Sequence, residues 1–183
     1  MHFKSILTYT ALSTLPVYTI ADCTLENKGT KDNLNKFEEN EWLCLKQGKG
    51  DWTFSMELSA VNFPSFDADN PFAGFVSSSG FAIYDHDCKL KGSYDPSQSN
   101  SCGVPYVIKE KFLKKTLKVT SVNFDAASGF FSFEYGDAKY TINKNHCDCV
   151  EKPDGLRARA FCKCAFPVDG HFDGKRRGIE FEA

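Results

Sequence analysis

Beyond its first twenty-one residues the chain lacks any apolar run approaching the ~20 residues that a membrane span needs. It lacks Gly-x-Ser-x-Gly, which excludes the serine hydrolases built on that turn. It has no Asn-x-Ser/Thr sequon; Asn100-Ser101-Cys102 is only the cysteine variant, so N-glycans are not expected to matter. It has no excess of positive charge: 22 Lys and Arg face 24 Asp and Glu, a net charge of −2. General affinity for nucleic acid needs a basic surface and is not expected. Methionine is scarce, two residues against seventeen phenylalanines. With many Ser, Thr and Gly, that balance points to a β-rich core.

What the chain has is cysteine, eight residues, and half of them sit in two Cys-x-Cys steps, Cys147-Asp148-Cys149 and Cys162-Lys163-Cys164. In a strand, residues i and i+2 share a face. Two antiparallel strands can therefore oppose their cysteines in pairs, Cys149 with Cys162 and Cys147 with Cys164. The same register sets Asp148 against Lys163 and Val150 against Phe161, one opposite-charge pair and one apolar pair. Pro153-Asp154-Gly155 lies where the connecting turn is needed. Zinc is the competing reading of these cysteines, but structural zinc sites space their ligands by two to four residues.

Lys4 followed by the uncharged, largely apolar run Ser5 to Ile20, with Thr19 and Ala21 before a cleavage point, reads as a secretory signal peptide over 1–21. An even number of cysteines in an exported chain implies a disulfide framework. The expected product is secreted and extracellular, with no membrane partner. Residues 22–41 are polar and read as an N-terminal arm held by Cys23, with a weak helical signal near Lys31 to Glu41. Residues 42–168 read as one domain, and 169–183, rich in Gly and charge, as a flexible C-terminal tail. Lys175-Arg176-Arg177 within it reads as solvated rather than as a processing site.

Within 42–168 the pattern is that of strands. Trp52, Phe54, Met56, Leu58 and Ala60 alternate with polar residues, and Val61 and Phe63 then flip the phase, which predicts a bulge. Pro64 to Pro71 reads as a loop, and Phe75 to Asp85 as a second strand with Phe81 and Ile83 on one face. A Cys88–Cys102 disulfide would close the exposed turn over 95–101. Val107 to Phe124 reads as two strands joined by a lysine-rich turn. Gly136-Asp137 predicts a two-residue hairpin loop. It sets Tyr135 against Ala138, Phe133 against Tyr140 and Phe131 against Ile142, with Glu134 against Lys139 and Ser132 against Thr141 on the other face. The expected fold is all-β, a single disulfide-stabilised antiparallel sandwich or barrel.

No catalytic constellation stands out, so the protein is not expected to be an enzyme, and neither cofactor nor metal is expected. Asp85-His86-Asp87-Cys88 reads as a solvated turn, because adjacent strand residues point opposite ways. A small secreted ribonuclease is the alternative; Glu134, His146, Arg157, Arg159 and His171 are the residue types it would use. Arg157 and Arg159 with Phe161 and Phe166 form a candidate protein-binding patch. Lys114 and Lys115, within the lysine cluster of 109–118, are candidates for contact with an acidic partner or anionic glycan.

Gly80-Phe81-Ala82-Ile83, then Cys88, then Ser101-Cys102-Gly103 resembles the stretch carrying the first disulfide of the AA1-like family, the secreted fungal family of the major Alternaria allergen. The strand opening Trp52-Thr53-Phe54-Ser55 and a cysteine pair near the C-terminus come in similar order, so the resemblance spans roughly 42–168. It implies a compact β-barrel or sandwich with no established catalytic site, acting as an allergen or as an elicitor or effector that engages a plant host protein. Some members dimerise through an N-terminal cysteine. Here the eight cysteines leave no odd one, so a monomer is expected, with Cys23 and Cys44 paired by elimination.

Overall fold

The computed structural model describes residues 22–29, 42–64, 72–96, 103–123, 130–141, 147–154 and 157–171, with backbone alone over 59–64, 72–79, 123, 130, 153–154 and 157–158. Among these residues ten strands follow in order: β1 (Cys23–Thr24), β2 (Asp51–Pro64), β3 (Phe72–Tyr84), β4 (Leu90–Tyr94), β5 (Tyr106–Ile108), β6 (Leu117–Asn123), β7 (Phe130–Tyr135), β8 (Ala138–Thr141), β9 (Cys147–Asp154) and β10 (Arg157–Pro167). They form two five-stranded sheets, β1-β5-β6-β7-β8 and β4-β3-β2-β10-β9. The fold is all-β, as the alternation in the sequence requires. Among the described residues all pairings are antiparallel except β1 with β5.

Alternation with period two sorts β2 and β10 into two faces. Phe54, Met56, Leu58, Cys162, Cys164 and Phe166 face the other sheet and are buried in the main core. The opposing sheet supplies Tyr106, Val119, Phe131, Phe133, Tyr135 and Tyr140. Rings carry much of the contact between sheets. Phe54 meets Phe131 and Phe133 edge-on at 5.5 and 4.9 Å, and Phe166 meets Tyr135 at 4.8 Å. Each such pair adds roughly 0.5–1.5 kcal/mol beyond its burial.

The register read from the two Cys-x-Cys steps is present. Cys147 is bonded to Cys164 and Cys149 to Cys162, with Asp148 opposite Lys163 and Val150 opposite Phe161. The hairpin also has the expected pairs Tyr135 with Ala138, Phe133 with Tyr140, Glu134 with Lys139 and Ser132 with Thr141. The Phe131–Ile142 pair lies outside the described residues. The bulge expected in β2 lies in β3 instead: Ser59 pairs with Ser78 and Ala60 with Val76, which leaves Ser77 as the extra residue, while β2 stays in unbroken register with β10. β5 and β6 are the two strands read on either side of the lysine-rich turn.

Two cysteine assignments are corrected. Cys44 is bonded to Cys88, not Cys23, and Cys88 is therefore not bonded to Cys102. Sequence adjacency favoured the local loop over 95–101. Instead, the segment before β2 folds back across the outside of its sheet and brings Cys44 to the β3–β4 turn. Cys23 is itself disulfide-bonded, and Cys102 lies outside the described residues. The supposed arm begins as a strand. Cys23 N–H donates to Pro105 O, Leu25 N–H to Val107 O and Lys28 N–H to Ser93 O, so one short polar segment stitches β5 of one sheet to β4 of the other. Two strand residues are too few to show a period, which hides β1 in the sequence.

The expected tail also starts later than its composition suggests. Tyr135 Oη donates to Val168 O at 2.7 Å, and Gly170 lies against Gly136 at the β7–β8 turn. Gly136 has φ +59°, and a Cβ there would stand 2.2 Å from Gly170 O. Gly136→Ala is expected to cost about 2–4 kcal/mol in chemical denaturation, from left-handed backbone strain plus a clash with backbone that cannot yield. An unchanged midpoint would contradict this contact.

Burial, the largest cause, and then nearby carboxylates push the Tyr84, Tyr94 and Tyr140 phenols well above their ordinary value of 10.0. Unfolding lets them ionise near that value. Their contribution to stability is therefore complete below it and lost as pH rises from there toward the folded values. An alkaline titration followed by phenolate absorbance is expected to show these three ionising together with loss of strand signal, not before it.

Candidate functional site

The outer face of the β4-β3-β2-β10-β9 sheet carries the densest chemistry among the described residues. Period two puts Thr53, Ser55 and Glu57 of β2, Ala82 and Tyr84 of β3, and Arg159, Phe161 and Lys163 of β10 on that face. The ladder sets Glu57 beside Phe161 and Gly80. Residues 42–50 lie across part of it as a strap. Leu43 is fully buried, packed with Ala82, Tyr84, Leu90 and Phe161 in a second apolar cluster. The Ser55 hydroxyl donates to Leu43 O, and Gln47 N–H donates to His86 O at 3.0 Å.

Beside the strap runs a line of cations and rings. The Trp42 ring lies 5.3 Å from Phe161. Lys152 Nζ stands 4.7 Å above Trp42, and the Arg159 guanidinium 5.0 Å above Phe161. Lys152 and Arg159 are direct cross-strand partners. Two like charges so placed repel. Each is offset by the ring beneath it, since a cation over an aromatic face gains about 0.5–1 kcal/mol when exposed. Arg159 is offset further by an ion pair with Glu57 Oε1; the two side chains are 39% and 10% exposed. Glu57 Oε2 is buried with no hydrogen-bond partner.

Of the patch read from the sequence, Arg159 and Phe161 share this face. Phe166 does not: an odd spacing from Phe161 turns it into the main core. Arg157 is opposite Val61 and Asp154 in the ladder, and only its backbone is described. Lys114 and Lys115 are exposed in the β5–β6 connection, where Lys115 N–H donates to Tyr135 Oη at 3.3 Å. Tyr135 also bonds Val168, just past the far end of β10. Arg159 precedes Pro167 by eight residues, about 26 Å of strand at about 3.3 Å each. The two basic groups are thus separate surfaces.

Among the ribonuclease residues whose side chains are described, Arg159 is not gathered with Glu134 and His171. Glu134 faces outward from the opposite sheet and pairs with Lys139 at 3.8 Å. His171 Nδ1 lies 3.8 Å from Asp137, and His146 is outside the described residues. Asp85 accepts from the backbone of Asp87 and Lys89, which makes 85–89 a hydrogen-bonded turn. Among the described residues no three His, Cys, Asp or Glu side chains cluster as metal ligands. Sequence reasoning missed Trp42, Lys152 and Glu57. Glu57 was legible as a polar-face residue of β2, but its pairing with Arg159 needed the β2–β10 register, across 102 residues of sequence.

No family model matches the chain, and no curated protein or solved structure matches it.

Arg159→Met leaves the Glu57 carboxylate buried and unpaired. It is expected to cost roughly 1–3 kcal/mol, the penalty of an unsatisfied buried group. Adding Glu57→Gln is expected to recover part of that loss. Additive costs in the double-mutant cycle would show that the two side chains are not coupled.

Proposed function

We propose that this is a secreted, cysteine-rich protein of the fungal effector or elicitor type, which binds a host extracellular protein without catalysis. The observation that carries the reading is the Lys152–Arg159 pair, two cations across one ladder, each over an aromatic ring. Like charges opposed in a sheet cost stability in the free protein. A carboxylate from a partner would relieve that cost, and Arg with aromatics is the composition enriched in protein interfaces. Disulfides are compatible with an oxidising extracellular space. The resemblance to the AA1-like family supplies the fungal and host-binding part. It rests on Gly80 to Ile83 and the strand order, since the Cys88 bond runs to Cys44 instead.

The test is capture of a partner from plant extracellular fluid by wild-type protein and by Lys152→Glu. The charge reversal lies on an exposed edge-strand residue. It is expected to abolish capture while strand content is unchanged. Equal capture by both would remove the face from the proposal. Hydrolysis of RNA by purified wild-type protein, lost in His146→Ala, would overturn the non-catalytic part.

A further inference from the structure

We propose that the Cys44–Cys88 bond is a thiol-releasable clasp, whose reduction lifts the strap 42–50 off the sheet while the sandwich beneath stays folded. Two features set it apart from the other described bonds. The Cys147–Cys164 and Cys149–Cys162 bonds join neighbouring strands, with Cα atoms 3.9 and 4.1 Å apart. The backbone ladder holds those strands together whether or not the sulfurs are joined, so cleaved thiols remain facing and re-close at high effective concentration. Cys44 and Cys88 belong to no common ladder. With their bond cut, the strap is held by the Ser55–Leu43, Gln47–His86 and Val168–Gly50 hydrogen bonds, the buried Leu43 and the contacts of Trp42 with Phe161 and Lys152, and by no ladder.

The second feature is fit. Cys88 holds φ +63°, a left-handed conformation disfavoured for any residue with a Cβ. Gln47 Nε2 in the strap is buried with no hydrogen-bond partner. The turn itself survives reduction, because Cys88 N–H donates to Asp85 O and Asp85 N–H to Lys89 O.

The chemistry is disulfide exchange with a dithiol. One thiolate of the reductant attacks Cys88 Sγ, and the bond to Cys44 breaks. Cys44 leaves as a thiolate and takes up a proton. The second thiol of the reductant, as its thiolate, displaces Cys88 from the mixed disulfide. The reductant ends as its own disulfide, and the protein carries two thiols. Release uncovers Ala82, Tyr84, Leu90 and Phe161 and carries Trp42 away from Lys152. It therefore also dismantles the face assigned above to recognition. The inference does not depend on that assignment, since the readouts below need no partner.

The experiment exposes the full chain to graded dithiothreitol, traps thiols with iodoacetamide, and maps them by mass spectrometry. Brief trypsin pulses run in parallel. Lys46 and Lys49 are exposed residues of the strap and report its release. Cys44 and Cys88 are expected to label together at about tenfold less reductant than Cys162 and Cys164. Cleavage at Lys46 and Lys49 should rise with that labelling, at unchanged strand content. A Cys44→Ser/Cys88→Ser variant should show the same cleavage without reductant. Labelling of Cys162 and Cys164 at equal or lower reductant would overturn the proposal. So would continued protection of Lys46 and Lys49 after Cys44 and Cys88 are alkylated, or loss of strand content in the double variant.

Discussion

The register between β9 and β10 is the constraint on which the rest depends. Two disulfides two residues apart permit one alignment of these strands, and a slip by one residue would turn every side chain of β10 over. β10 also pairs with β2 along its whole length. The alignment therefore propagates inward: Cys162, Cys164 and Phe166 join the aromatic core, and Arg159, Phe161 and Lys163 face out. A cross-link in such a place limits the unfolded chain and typically contributes about 2–4 kcal/mol. Its larger effect here is to make the two faces of one strand chemically distinct.

The outer face is then finished by chain from elsewhere. A sheet face carrying Ala82, Tyr84, Leu90 and Phe161 would be a poor surface in water. The strap covers it with Leu43 and Trp42 and ties itself down at Cys88. Where the strap ends, the cover changes character. Lys152 and Arg159 cover the faces of Trp42 and Phe161 with their own stems and charges, as long basic side chains do. The result is a surface half covered by apolar packing and half by cations on rings.

The parts of the fold legible in the sequence were those set by short-range periodicity. The alternation from Trp52 to Ala60, the Gly136-Asp137 loop with its matched pairs, and the two Cys-x-Cys steps each contain their own register. Parts set by distant chain were not legible. Nothing within 22–29 announces that Cys23 and Thr24 pair with β5, and nothing near Cys88 indicates a partner 44 residues earlier. The candidate site divides in the same way. Arg159 and Phe161 share a face by spacing alone. Glu57, Trp42 and Lys152 come from three other segments, and Phe166 was misplaced because nearness in sequence is not a shared face.

The sequence by itself determined the all-β class, the β9–β10 and β7–β8 registers, and the exclusion of a serine-hydrolase turn, because each follows from spacings of one to a few residues. Only the tertiary structure decided which side chains come together on the outer sheet face. Ion pairs, cation–ring contacts and the Cys44–Cys88 bond depend on which sheet face a distant segment crosses, and that is set by packing of the whole chain rather than by any local pattern.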